Sequence, residues 1–280
     1  MVVLVIGGSG QLGQSIQFIA GEYSEISFVF ADVAEADITN PKQLAQLFYK
    51  VKPDFCINAA AYTAVDKAED QPALARMVNV DGAQNLAIIC KESDATLIHI
   101  STDFVFDGNQ SIPYTEEVKT NPQSIYGMTK RDGEEEIKAI LTSHFIIRTS
   151  WLYSQFAQNF MKTMLKLASE RSELKVVNDQ KGTPTNAIDL ARAIIKIIQS
   201  GSKTYGTYHF SNEGEATWYE FAREIFEQNN CKINLYPITS AEFPTPAKRP
   251  SYSVLDKSKI KKTFGISIKD WKISLSDNLM

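Results

Sequence analysis

The stretch GGSGQLG, Gly7 to Gly13, follows the apolar run Val2–Ile6 and carries four of the chain's 14 glycines. Glycine has no Cβ, so its backbone can take φ > 0 and another group can come close to the main chain. A short β-branched strand, a glycine turn and the helix-compatible run Gln11–Ala20 form the usual opening of a dinucleotide-binding unit. Amide N–H groups and a helix N-terminus are then placed to hold a pyrophosphate. The spacing is G-x-x-G-x-x-G rather than G-x-G-x-x-G, so the turn alone equally fits a tight strand-to-helix connection that binds nothing.

Downstream, strand-like runs at Ile26–Ala31, Phe55–Asn58, Thr96–Ser101 and Phe145–Thr149 alternate with helical patterns, among them Lys42–Val51 and Gln71–Ser93. Such alternation predicts βαβ units and an α/β fold, a Rossmann-type doubly wound parallel sheet. Asp103–Ile125, rich in Asp, Gly, Pro and Asn, is much longer than the median loop of about 4–6 residues, which marks it as functional. After Ser150 the pattern becomes mixed and proline-punctuated. The organisation read from this is a nucleotide-binding domain of 1–150 plus about 186–211, and a smaller α/β substrate-binding lobe of about 151–185 and 212–280.

Composition narrows the function. A net charge of −4 with interspersed signs provides no basic stripe for nucleic acid or an anionic membrane. The start MVVLVI has no basic flank, and nowhere do about 18 apolar residues run together, so a soluble, cytoplasmic protein is expected. Cys56, Cys90 and Cys231 form no C-x-x-C pair and read as reduced, buried thiols. His99, His144 and His209 sit singly in strand-like runs and read as packed or hydrogen-bonded residues, so no catalytic metal is expected.

Tyr126 and Lys130, in IYGMTK, lie four residues apart on one face of the helix expected there. With 11 tyrosines in the chain, the pair itself carries little information; its position carries more. It follows the long loop after a strand ending in Ser101-Thr102-Asp103, and ligands of parallel sheets bind outside the carboxyl ends of strands. Thr102, Tyr126 and the glycine turn can therefore converge on one cleft. A phenol near pKa 10 needs a nearby ammonium to act as an acid-base group at neutral pH, and Lys130 is spaced to supply one while holding a nicotinamide ribose.

Together with NAAAYTAVDKAE (58–69), HISTDFVFDG (99–108), RTSWLY (148–153), NDQKGTPT (178–185) and RPSYSVLD (249–256), these motifs make the chain resemble the extended short-chain dehydrogenases/reductases. Within that family it is similar to the members that act on dTDP-6-deoxyhexuloses, and the likeness runs through nearly its whole length. The resemblance implies reduction of the C4 ketone of a dTDP-sugar to dTDP-L-rhamnose, using NADH or NADPH. It implies Thr102, Tyr126 and Lys130 as the catalytic residues. Gly7, Gly10, Gln11, Leu12 and Gly13 match the phosphate turn, and Ala61, Tyr62 and Thr63 the segment under the nicotinamide ribose. Thr102, Asp103, Phe104, Tyr126, Trp151 and Arg249 match the substrate side. The family commonly has tyrosine where this chain has Phe104, so that hydroxyl is missing.

Asp32 ends the second strand 19 residues after Gly13, near the offset of about 20 at which a carboxylate accepts from the adenosine ribose. No Arg or Lys lies between Gly7 and Asn40 to meet a 2′-phosphate, which favours NADH, unless the adenine leans toward Asp37 and Ile38. Several roles stay open on sequence grounds. Trp151 either walls the sugar or caps a joint between lobes, Asn178–Thr185 is a pocket wall or a polar turn, and Asp66, Lys67 and Glu69 fit a solvated helix start. A non-catalytic nucleotide-binding regulatory subunit is the rival function, with a nucleotide-sugar epimerase or dehydratase behind it. The assembly is open too, a homodimer being one outcome.

Overall fold

The computed structural model describes residues 1–277. Five strands follow the expected segments closely: β1 (Val2–Ile6), β2 (Ser27–Ala31), β3 (Phe55–Asn58), β4 (Thr96–Thr102) and β5 (His144–Thr149). Short strands follow in the second half: β6 (Leu152–Tyr153), β7 (Glu173–Val177), β8 (Lys181–Gly182), β9 (Thr185–Asn186), β10 (Gly206–His209), β11 (Ala216–Thr217) and β12 (Asn234–Ile238). The main sheet has the order β2-β1-β3-β4-β5-β10, and every pair is parallel. Strand order reverses at β1/β3, the topological switch point at which open α/β sheets bind ligands.

Both sheet faces are covered, which is why these strands read as near-continuous apolar runs. On one face Val3, Val5, Ile57, Ile98 and Ile147 pack against the helices Gln11–Ile19, Ala187–Gln199 and Ser258–Phe264. On the other, Leu4, Cys56, Leu97 and Ile146 pack against Pro41–Val51, Gly82–Glu92 and Ile125–Ile140. The helix Ala187–Gln199 and β10 thus return the chain to the main sheet. A separate core of Tyr153, Met161, Leu174, Phe221, Ile225 and Trp271 forms outside it.

The structure departs from the sequence expectations at three places. The run 71–93 is not one regular helix: Pro72–Arg76 and Gly82–Glu92 are joined by a π-helical turn, Met77–Asp81. Only Cys56 and Cys90 are fully buried, side by side, while Cys231 is half-buried. Most of the long loop after β4 is structural. Tyr114 stacks on Phe106, and its backbone bonds Val254 and Asp256, clamping the loop to the C-terminal segment. Among the described residues, no helix is long and apolar enough to cross a membrane, and no group of three or more His, Cys, Asp or Glu could hold a metal ion.

The helix Ile125–Ile140 is fixed to the sheet by a buried ion pair. Glu134 accepts from Arg148 of β5 through Nε at 2.9 Å and Nη2 at 2.6 Å, and from the Ser101 hydroxyl at 2.5 Å. Both charges are almost wholly buried. The guanidinium and the serine hydroxyl hold the Glu134 carboxyl below its ordinary pKa against the opposing effect of burial. Removing one partner of such a pair strands a charge, whereas replacing both by apolar groups does not. Arg148→Met is therefore expected to lower unfolding free energy by about 3–5 kcal/mol in urea titrations. The double variant Glu134→Leu/Arg148→Met should lose far less, and equal losses in the two would contradict this account.

Candidate active site

A cavity of about 900 Å³ opens along the carboxyl ends of β1, β3, β4 and β5. Its floor is set by Gly7, at φ +85°, where a Cβ would stand 2.9 Å from the Ala59 carbonyl carbon and the Ala60 nitrogen. Only glycine lets the turn after β1 lie on the loop after β3. Gly13 acts behind this turn: a Cβ there would meet the Gly7 oxygen at 2.3 Å, so it seats the helix against the strand. Gly7, Gly10, Gln11 and Leu12 line the cavity, and so does Ser9, which sequence reasoning passed over.

At the wide end, Asp32, Asp37 and Ile38 all face the cavity. The Asp32 carboxylate accepts from the Ser9 amide at 3.0 and 3.1 Å and from the Ser9 hydroxyl at 2.9 Å. Asp37 is occupied locally, accepting from the Thr39 amide and hydroxyl. Ala61 and Thr63 line the wall, whereas Tyr62 does not; its backbone is held from behind by Asn79. Asn79 lies in the π-helical turn and also donates to Thr129 at 3.1 Å. Such turns occur at functional sites because they re-aim a side chain, and no periodicity in the sequence marks this one.

At the closed end, Thr102, Asp103, Phe104, Tyr126 and Lys130 come together. Ser124 and Glu69 cap the helix that carries Tyr126, accepting from the Gly127 and Ile125 amides. The helix start lies hard against the turn after β4, with a Gly127 Cβ position 2.2 Å from the Phe104 oxygen. This contact brings Tyr126 to Thr102. Burial pushes the Tyr126 phenol up to about 12, against the pull of its hydrogen bond with Thr102. The single proton of the Thr102 hydroxyl has a second acceptor, Asp103 Oδ1, at 3.1 Å. Asp103 is pushed up to about 6 by burial, and its Oδ2 has no hydrogen-bond partner among the described residues.

Lys130 differs from the sequence reading. Its Nζ donates to the Ile100 carbonyl at 2.7 Å and stands 3.2 Å from His99 Nε2, so it contacts β4 rather than the Tyr126 phenol. Burial pulls it down to about 8. Trp151 has φ +47°, a left-handed backbone that a bulky residue adopts only when its surroundings impose it. Its ring stacks on Trp218 at 3.6 Å and 9°, with Gly182 against its edge. Trp218 in turn touches Phe160, and all three aromatics line the cavity.

Arg249 lines the cavity while forming a bidentate pair with Asp66, at 2.8 and 3.0 Å. That pair holds the Asp66 carboxyl below its ordinary range. Asp66 and Glu69 are thus used in tertiary contacts rather than left to solvent. The stretch 178–185 does not line the cavity: Lys181-Gly182 pairs with β11, and Gly182 supports Trp151 from outside. The missed wall residues Phe160 and Trp218 come from distant helices and stand in no motif.

A parallel sheet whose glycine turn and Tyr-x-x-x-Lys helix meet in one cleft defines a dinucleotide-binding α/β protein of the short-chain dehydrogenase type. The chain belongs to the family described as RmlD substrate binding domain, whose model matches residues 1–280. It is 39% identical to the dTDP-4-dehydrorhamnose reductase of Sinorhizobium fredii, over 98% of this chain and 95% of that one. Among solved structures it is similar to a dTDP-4-dehydrorhamnose reductase from Clostridium acetobutylicum, with 44% identity, a TM-score of 0.95 and coverage of 100% and 98%. It also resembles the Bacillus anthracis enzyme of that name in complex with NADP, with 38% identity, a TM-score of 0.96 and coverage of 99% and 98%.

The raised pKa of Asp103 is also a statement about stability. A carboxyl that binds its proton more tightly when folded contributes stability fully below its unfolded pKa near 4, and that contribution is lost as pH rises through about 6. Wild type should therefore gain on Asp103→Asn as pH falls from 7 to 4, by on the order of 2–3 kcal/mol in unfolding free energy. A difference independent of pH would show that Asp103 titrates as an ordinary carboxylate.

Proposed function

We propose that this protein reduces the C4 ketone of dTDP-4-dehydro-β-L-rhamnose to dTDP-L-rhamnose, with Tyr126 giving the proton to the ketone oxygen. The observation that carries this reading is a buried phenol beside Thr102 and Asp103, lining the same cavity as the glycine turn. The names of the relatives at 38–44% identity supply the substrate class. A reduced nicotinamide supplies hydride to C4 when bound. Gly7, Gly10 and Gln11 would hold its pyrophosphate, Ala61 and Thr63 its inner ribose, and Lys130 the same ribose once its amine turns from β4.

The chain's own residues do the rest. Burial keeps Tyr126 protonated, the form a general acid needs. Thr102 orients the phenol and can donate a hydrogen bond to the developing phenolate. The stacked Trp151 and Trp218 offer a flat apolar wall to a sugar whose C6 carries no hydroxyl. Phe104 packs edge-on to Tyr126, at 5.6 Å, and fixes the ring by contact alone. Residues 151–185 and 212–277 then serve as the substrate lobe, and three unbonded cysteines, two of them adjacent, support a reducing cytoplasmic setting.

Tyr126→Phe keeps the ring and deletes the acid. Turnover, followed by loss of nicotinamide absorbance with freshly prepared dTDP-4-dehydro-L-rhamnose, should fall about 10²–10⁴-fold. Cofactor Kd should stay near wild type; near-normal kcat would contradict the assignment.

For the cofactor, a carboxylate at Asp32 with no neighbouring cation in the turn supports NADH over NADPH. Side-by-side kcat/KM values should favour NADH, and a preference for NADPH above about tenfold would mean that Asp32 stays with Ser9 and ignores the ribose.

A further inference from the structure

Two buried histidines face a cation, and they are wired in opposite senses. His209 Nδ1 lies 3.0 Å from the Tyr114 carbonyl, which can only accept, so Nδ1 carries the proton. Its Nε2 is then free to accept from Arg148 Nη1 at 3.4 Å. At His99, Nδ1 lies 3.0 Å from the Asn58 amide nitrogen, and Nε2 lies 3.2 Å from Lys130 Nζ. The orientation of Asn58 is set independently, because its Oδ1 accepts from the Ala60 amide at 3.1 Å. Turning the carboxamide would set two donors face to face.

The Asn58 NH₂ is therefore the donor and His99 Nδ1 the acceptor, which leaves the imidazole proton on Nε2, aimed at Lys130. An ammonium has three donors and no lone pair, so it cannot receive that N–H; an amine can. Asn58, His99 and Lys130 are only 1%, 1% and 2% exposed, so no bulk water relieves the conflict. We propose that Asn58 and His99 are positioning residues that hold Lys130 as the neutral amine in the cofactor-free protein, and that Lys130 takes up a proton when the cofactor binds.

Burial acts in the same direction, bringing Lys130 down to about 8 and holding His99 neutral, well below its ordinary pKa. The other charged and titratable groups around the pair are Glu134 and Tyr126 on the lysine's own helix, Asp103 after β4, and Arg148 and His144 on β5. Of these, Glu134 favours the ammonium, but Arg148 already neutralises it. Protonating Lys130 means either that its amine turns from β4 toward the ligand or, if it stays, that the His99 proton moves to Nδ1 and Asn58 turns, which releases the Ala60 amide. Ala60 lies on the cavity wall beside Ala61 and Thr63, so a ligand seated there meets the loop that sets the lock. The ammonium that eases proton release by Tyr126 then arrives together with the cofactor.

This inference rests on the proposed role of Lys130 in cofactor binding, but its first readout does not. ¹⁵N-histidine NMR of the cofactor-free protein, assigned with His99→Gln, reports which ring nitrogen of His99 carries the proton. A ¹³C-lysine titration assigned with Lys130→Met reports the amine. The expected result is a proton on Nε2 and a Lys130 midpoint at least about two units below the ordinary lysine value. NADH binding at about pH 9, followed by calorimetry in buffers of differing ionisation enthalpy, should take up close to one proton per site. Asn58→Ala should raise the Lys130 midpoint by at least one unit and reduce that uptake. Should this variant fail to fold, Asn58→Asp, which accepts from both the Ala60 amide and Nδ1–H, should place a proton on Nδ1. A proton on Nδ1 of the cofactor-free wild type, or an ammonium persisting at about pH 9, overturns the proposal. A neutral Lys130 in a protein that binds NADH yet never turns over the dTDP-sugar would instead sink the reductase reading and leave this one standing.

Discussion

The cleft depends on the pairing of Glu134 with Arg148 and Ser101. Tyr126, Lys130 and Glu134 stand at i, i+4 and i+8 on one helix, so they form a single stripe along its length. All three are buried against β4: Tyr126 lies by Thr102, Lys130 is bonded to the Ile100 carbonyl and Glu134 to Ser101. A helix can rotate or slide against an apolar sheet face at modest cost, because dispersion contacts are interchangeable. A buried carboxylate held by a fixed guanidinium and a hydroxyl has one place to sit. The charge pair is therefore best understood as a register device, setting where the phenol two turns away comes to rest.

Local chemistry explains which features were legible in the sequence. The five leading strands could be placed within a residue or two because a sheet buried on both faces demands uninterrupted apolar runs. The glycine turn was legible because close backbone approach excludes every other residue at Gly7 and Gly13. The Tyr126 and Lys130 positions followed from strand ends and family likeness together. What could not be read was every relation set by tertiary packing: the π-helical turn that aims Asn79, the Arg249–Asp66 pair across 183 positions, and the stacking of Trp218 on Trp151. The carbonyl that Lys130 meets on β4 could not be read for the same reason. Helical spacing shows that two side chains share a face, and only the neighbouring strand decides where an ammonium finds its carbonyl.

Trp151 shows how the two cores are joined through the cleft. It stands two residues past β5, in a left-handed backbone, and its ring belongs to the second core through Trp218 and Phe160. The main sheet thus ends in a strained residue whose side chain is gripped by the other unit. Such strain persists only where surrounding structure over-determines it, and here the grip comes from a face-to-face aromatic stack and a glycine with no Cβ to intrude. Walling the cavity and joining the two cores are therefore compatible for Trp151: the residue gripped by the second core also lines the cavity.

Charge is distributed unevenly along the cleft, and the distribution bears on how it can work. Away from Tyr126 the lining carboxylates and cation are half-buried, with Asp32 and Asp37 near the turn and Arg249 paired to Asp66. At the closed end burial moves each titratable group toward its uncharged form: Asp103 up to about 6, Tyr126 up to about 12, Lys130 down to about 8. Desolvation disfavours whichever form is charged, so one physical cause shifts acids and bases in opposite directions. Asp103 and Lys130 are thereby brought to within about one unit of neutral pH, where a small change of surroundings switches their charge. In such a low-dielectric pocket one added charge acts on its neighbours far more strongly than it would in water. A site built this way keeps its phenol protonated, and the groups poised to change charge around it are Asp103 and Lys130.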